Sequence, residues 1–123
     1  MGEIKNKKIL IVEDDDMNYI YLKQIFKILG GDITRVKNGN SAIQTFKESE
    51  FDLVLMDLQL PDISGYEVTK LIRNINSEIP IVAQTASKTP EEHYEAIQSG
   101  CNYVLPKPYK IDDIKSILNK IFD

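Results

Sequence analysis

Two short runs constrain this chain more than any other feature. Ile9-Leu10-Ile11-Val12 and Leu53-Val54-Leu55-Met56 are apolar at every position, and each stops abruptly on acid, Glu13-Asp14 in one case and Asp57 in the other. A half-exposed strand alternates apolar and polar side chains, so an unbroken apolar run belongs to a strand covered on both faces. Pro80-Ile81-Val82-Ala83, leading to Thr85, repeats the pattern. Ile33 to Val36 is shorter and half polar, as expected at a sheet edge. Tyr103-Val104-Leu105 makes a last strand, closed by Pro106-Lys107-Pro108.

Helical spacing fills the gaps between these runs. Leu22, Ile25, Phe26 and Leu29 fall at i, i+3, i+4, i+7 before the stop signal Gly30-Gly31. Ala42, Ile43 and Phe46 follow the turn-like Asn38-Gly39-Asn40. Ser64 and Glu67 read as a capping box for a helix striped by Val68, Leu71, Ile72 and Ile75. Thr89-Pro90-Glu91-Glu92 supplies a cap, a proline and first-turn acids to a weakly apolar helix carrying Tyr94 and Ile97. Ile114, Ile117, Leu118 and Ile121 stripe the final helix. Five strands alternating with five helices predict an α/β fold, a parallel sheet with helices on both faces.

Composition sets the outer bounds. At 123 residues and 42% apolar content the chain has material for one domain with one ordinary core. The single cysteine, Cys101, excludes a disulfide framework or a cysteine zinc cluster. No apolar run reaches the ~20 residues of a membrane span, and MGEIKNKK lacks a signal-peptide core, which together predict a cytoplasmic protein. Lys+Arg 15 against Asp+Glu 19 gives −4, which argues against direct nucleic-acid binding. With no linker and the last helix at the chain end, no output domain is expected.

The carboxyl ends of parallel strands share one rim, where such folds bind ligands. The first strand delivers Glu13 and Asp14 to it, the third Asp57, the fourth Thr85 and the fifth Lys107; the second delivers nothing comparable. Like charges a few ångströms apart in a cleft repel by an amount on the order of several kcal/mol, unless a cation compensates. Mg²⁺ suits a few carboxylates plus water. Thr85 and Lys107 add a hydroxyl and a positive charge, both partners for phosphoryl oxygens. The set is fitted for an acyl phosphate on Asp57.

The runs ILIVEDD, DLVLMDLQLPDISG, IVAQTA and LPKP, in this order and spacing, resemble the receiver domain of two-component response regulators, stand-alone or within a hybrid histidine kinase. The resemblance extends from about Lys8 to Phe122, so the whole chain, 1–123, is expected to be one receiver domain. It implies a doubly wound, flavodoxin-like sheet of order 2-1-3-4-5. It also implies phosphoryl transfer to Asp57 from a histidine kinase or a histidine phosphotransfer protein. By the same resemblance, Asp14 is a direct ligand of Mg²⁺ (or Mn²⁺) and Glu13 acts mainly through water. The backbone carbonyl of Gln59 completes the metal shell, Thr85 is a switch hydroxyl, and Lys107 pairs with Asp57 or the phosphoryl group. The Lys107-Pro108 bond is expected to be cis. Self-phosphotransfer and hydrolysis of the phosphate are the only chemistry implied, and the face made by the fourth helix, fifth strand and fifth helix is implied as the surface for output or homodimerisation. Two departures stand out: Val104 where an aromatic is common, with Tyr103 on the opposite face of the strand, and Lys110 where the last helix usually has a capping Asp.

Neighbouring residues take plainer roles. Asp15 and Asp16 are expected at the start of the first helix, Asp62 in a turn or helix entry, His93 on a solvated helix face, and Cys101 and Met56 in the interior. Two competing functions fit parts of the pattern. One is a Mg²⁺-dependent phosphohydrolase with an aspartyl nucleophile, although such enzymes place an Asp-x-Asp pair after the first strand. The other is a receiver-like scaffold that never takes phosphate, against which the complete acidic set argues.

Overall fold

In a computed structural model of the chain, residues 4–87 and 89–122 are described. Ladder hydrogen bonds join β1 (Lys8–Val12) to β2 (Asp32–Val36) on one side and to β3 (Leu53–Asp57) on the other. β4 (Ile81–Thr85) and β5 (Tyr103–Pro106) extend the sheet from β3, all parallel, in the order β2-β1-β3-β4-β5. The helices between them are α1 (Asp16–Leu29), α2 (Gly39–Glu48), α3 (Gly65–Ile75), α4 (Pro90–Ser99) and α5 (Ile111–Phe122). The expected doubly wound order holds, with β2 at an edge.

Pleat alternation splits the apolar strands between two cores. Leu10, Val12, Val54, Met56, Ile81 and Ala83 pack with Ala42, Phe46, Val68, Ile72 and Ala96 of α2, α3 and α4. Ile9, Ile11, Leu53, Leu55, Val82 and Leu105 pack with Leu22, Ile25, Phe26, Ile114 and Leu118 of α1 and α5. Every residue of β3 and β4 is buried, the polar Asp57, Gln84 and Thr85 at their ends included, as strands covered on both faces require. Tyr103 lies with the α1–α5 core and Val104 with the other, so the two do occupy opposite faces.

The caps read from the sequence are present. Asp15 accepts the Met17 N–H at 3.0 Å, Ser64 accepts that of Glu67 at 3.2 Å, and Thr89 caps α4 ahead of Pro90. Lys110, which lacks a capping side chain, is served by Asp113, whose carboxylate accepts the Lys110 N–H at 2.8 Å. This is the return half of a capping box, and it offsets the missing Asp.

Helix α4 departs from expectation. Its two large apolar residues, Tyr94 and Ile97, are 67% and 46% exposed, and the helix buries Ala96 and Ser99 instead. The inward face runs through residues 92, 93, 96 and 99, which turns His93 inward as well. His93 is half-buried rather than solvated, and its Nε2 is shielded without a hydrogen-bond partner among the described residues. Cys101 is buried as expected, and burial pushes its thiol up to about 11, which leaves it inert.

Gly65 opens α3 hard against the end of β3. Its N–H bonds the Leu58 carbonyl at 3.0 Å, and an added Cβ would clash with the Asp57 carbonyl oxygen and lie 2.6 Å from Leu58 Cα. Backbone cannot yield as a flexible side chain can. Gly65→Ala is therefore expected to cost about 1–3 kcal/mol, read as a lowered thermal midpoint; an unchanged midpoint would show that α3 can start farther from the strand.

Candidate functional site

The sheet register brings the acidic residues into one row. Asp57 pairs with Gln84, Val12 with Met56, and Glu13 therefore follows beside Asp57 at the carboxyl rim. Glu13, Asp14 and Asp57 each offer a carboxylate oxygen, and these atoms lie within 4.8 Å of one another. Glu13 and Asp57 are 0% and 5% exposed, while Asp14 faces solvent. Lys107 reaches in from just beyond β5, its Nζ 3.4 Å from Glu13 Oε1 and 3.7 Å from Asp57 Oδ2. The Lys107-Pro108 bond is cis, as the resemblance implies.

Burial sets the chemistry of Asp57. Desolvation is the main cause that pushes its carboxyl up to about 7, with Glu13 raising it further. The Gln59 N–H, donating to Asp57 Oδ1 at 3.0 Å, and the Lys107 ammonium oppose the shift without cancelling it. An acid half-ionised near neutrality beside two more carboxylates is a site that gains from a divalent cation. The donor set, oxygen atoms only with one face open at Asp14, fits Mg²⁺ or Mn²⁺.

Thr85 is buried at the end of β4, where its Oγ1 accepts the Ser87 N–H at 3.0 Å. That contact ties the hydroxyl to the loop leading to α4. Thr85 takes the alternate pleat position to Gln84, so the two point to opposite faces of the sheet.

The second strand delivers no side chain to the site, yet it supports the acidic loop from behind. Arg35 near its end donates from Nε to the Glu13 carbonyl at 2.9 Å, places a terminal nitrogen 2.8 Å from Asp16, and stacks on the Tyr19 ring. Arg35, then Lys37, hold the Asp16 carboxyl below the usual carboxylate range. The guanidinium braces the acidic loop from behind without entering the site. Asp62 also has a helix-entry role, but for α2: the Asn40 and Gly39 N–H groups bond its carboxylate at 2.9 and 2.8 Å and lower its pKa.

Residues 9–119 match the family model of the response regulator receiver domain. The chain belongs to that family. Among relatives of this receiver, the polar-differentiation response regulator DivK of Brucella anthropi is 35% identical over 118 residues, covering 91% of this chain and 96% of DivK. A solved receiver domain of the sensor histidine kinase PA1611 from Pseudomonas aeruginosa superposes with a TM-score of 0.88 at 31% identity, covering 94% of this chain and 97% of that one. It carries a magnesium ion in its active-site cleft. The receiver domain of Ssk1 from Saccharomyces cerevisiae, solved with the histidine phosphotransfer protein Ypd1, gives a TM-score of 0.89 at 30% identity over 97% of this chain and 90% of that one. Two other curated relatives, both transcription factors, are far longer, and this receiver spans 18% and 20% of their lengths. Receivers are signalling modules of two-component systems, and this membership disfavours the phosphohydrolase reading.

Proposed function

We propose that Asp57 is the phosphoacceptor of a phosphorelay, taking its phosphoryl group from a histidine kinase or a histidine phosphotransfer protein. The observation that carries this reading is the Asp57 carboxyl itself, buried at a strand end beside two other carboxylates and 3.7 Å from Lys107. A carboxylate kept there serves no packing need, and its burial is unfavourable unless a cation or a transferred group compensates it. The Ypd1 complex of the Ssk1 receiver supports the partner class, and the magnesium in the PA1611 receiver supports the cation.

Glu13, Asp14, Asp57 and the Gln59 carbonyl would hold Mg²⁺, whose charge compensates the carboxylates and the phosphoryl oxygens. An Asp57 oxygen attacks phosphorus; the new O–P bond forms as the N–P bond to the donor imidazole breaks, the nitrogen keeping the electron pair. Lys107 meets the transferred charge with its ammonium. Thr85, whose oxygen already accepts the Ser87 N–H, still has its own proton to donate to a phosphoryl oxygen. That donation draws the loop before α4 toward the site and biases a pre-existing two-state equilibrium. Hydrolysis then returns the free carboxylate, so the chain turns over only its own phosphate. Residues 1–123 act as one receiver domain with a core of about 8–122, in the cytoplasm, where such donors work. Tyr94 and Ile97 make the α4–β5–α5 face apolar enough for an output partner or a second copy.

Incubation with acetyl phosphate and Mg²⁺, read by intact mass, tests the acceptor. One base-labile phosphoryl group per chain is expected, whereas many turnovers of a phosphomonoester would sink the reading. Amide exchange with and without beryllofluoride tests the readout. Val104 supplies no ring to swing inward, so protection is expected to change over residues 86–95, of which Lys88 lies outside the described residues. A change confined to Tyr103 would contradict this route.

A further inference from the structure

The α1–α5 side of the sheet holds a buried polar cluster that neither packing nor the phosphoacceptor chemistry accounts for. Gln84 sits beside Asp57 in the strand register, is 0% exposed, and lies on the sheet face that also carries the apolar Val82 and Leu105. Its Oε1 accepts from the Tyr109 hydroxyl and from Asn18 Nδ2 at 3.3 Å, while its Nε2 has no hydrogen-bond partner among the described residues. Asn18 Nδ2 also lies 3.3 Å from the Tyr109 oxygen and donates to Glu13 Oε1. An orphaned buried amide is unfavourable, yet reversing it would set Gln84 Nε2 against Asn18 Nδ2, donor to donor. The arrangement satisfies Asn18 at the expense of Gln84.

We propose that Asn18 is a positioning residue that orients Glu13 for cation binding, with Gln84 and Tyr109 locking its amide from the far side. The proposal rests on the reading of Glu13, Asp14 and Asp57 as a divalent-metal site and names what prepares that site. Glu13 Oε1 has two suitors, the Asn18 amide and the Lys107 ammonium at 3.4 Å. An ammonium cancels the carboxylate charge, whereas an amide satisfies the oxygen and leaves that charge for a cation. The Asp15 N–H, 3.2 Å from Glu13 Oε2, fixes the other oxygen the same way. Tyr109 is itself held from outside, because the Tyr21 hydroxyl donates to its carbonyl at 2.6 Å and the two rings sit 5.8 Å apart. The lock therefore reaches from the acidic pocket to the surface of α1.

Mg²⁺ titrations at pH 8, followed by the amide resonances of Asp57 and Gln59, test this in the wild type, Asn18→Leu and Tyr109→Phe. The metal midpoint is expected to rise about three- to tenfold in Asn18→Leu and about twofold in Tyr109→Phe, although Tyr109 makes no hydrogen bond to a carboxylate. A purely structural cluster would lower the metal-free melting temperature of both variants and leave their midpoints at the wild-type value; that result, or tighter binding, overturns the proposal. If Asn18→Leu does not fold, Asn18→Ser, which keeps one donor, is expected to fall between wild type and Tyr109→Phe or beyond it, and a wild-type midpoint there overturns the proposal equally. A wild type that shows no Mg²⁺ response would overturn the metal site itself, and this inference with it.

Discussion

Asp57→Asn is expected to lose all labelling by acetyl phosphate and, in metal-free buffer at pH 8, to melt above the wild type. The sign follows from the raised carboxyl. Between about pH 4 and pH 7 the folded Asp57 keeps its proton while the unfolded one releases it, so wild-type stability falls as pH rises through that window. Above pH 7 the full penalty remains, on the order of a few kcal/mol, and asparagine never incurs it. The gap in melting temperature is expected to be about 5–10 °C at pH 8 and to close near pH 4. Melting curves at the two pH values check it. A gap that persists unchanged at pH 4 would mean that Asn stabilises through packing rather than through lost charge.

Asp14→Asn is expected to abolish Mg²⁺-dependent stabilisation while leaving the metal-free fold intact. A cation that binds only the folded chain with a dissociation constant of about 1 mM stabilises it by about 1.4 kcal/mol at 10 mM. Asp14 is exposed, so its loss changes the metal-free protein little, by less than about 0.5 kcal/mol. Because the site needs ionised Asp57, wild-type affinity is expected to weaken roughly tenfold for each pH unit below 7 and to level off above it. Isothermal titration across pH 5.5–8.5 gives both results. A Mg²⁺ response in Asp14→Asn equal to that of the wild type would remove this residue from the ligand set.

What the sequence made legible tracks the range of the interactions involved. Strands β1, β3 and β4 announce themselves because burial on both faces leaves no room for alternation. Their ends then put Glu13, Asp14, Asp57 and Thr85 on one rim without further information. The caps at Asp15, Ser64 and Thr89 are local and equally readable. The role of Gln84, which directly follows the apolar run Ile81-Val82-Ala83, is not legible locally because its partners, Asn18 and Tyr109, lie 66 and 25 residues away. A polar residue directly after a wholly apolar run is the signal that points to it. Arg35 escaped for a similar reason, since a charged residue on an edge strand looks solvated until the loop it braces is in place. The inward face of α4 is not legible in the sequence, because small residues rather than large apolar ones mark it. Close approach to the sheet favours Ala96 and Ser99, which are small, and leaves Tyr94 and Ile97 outside.

That choice of small residues has a mechanical consequence. Apolar area buried per residue sets how firmly a helix is held, and Ala96 and Ser99 offer far less of it than Leu22, Ile25 and Phe26 give α1. The C-terminal end of α4 is nonetheless pinned, because Arg73 donates to the Gly100 carbonyl at 3.0 Å and to the Asn102 side chain at 2.9 Å. A helix loosely glued along its length and clamped at one end behaves as a lever with its fulcrum at Gly100. Its free end begins at Thr89, next to the loop held by Thr85. Sub-global opening should therefore start there, with the five-stranded sheet still closed, and a protease acting on the folded protein should cut first near the tip of the lever.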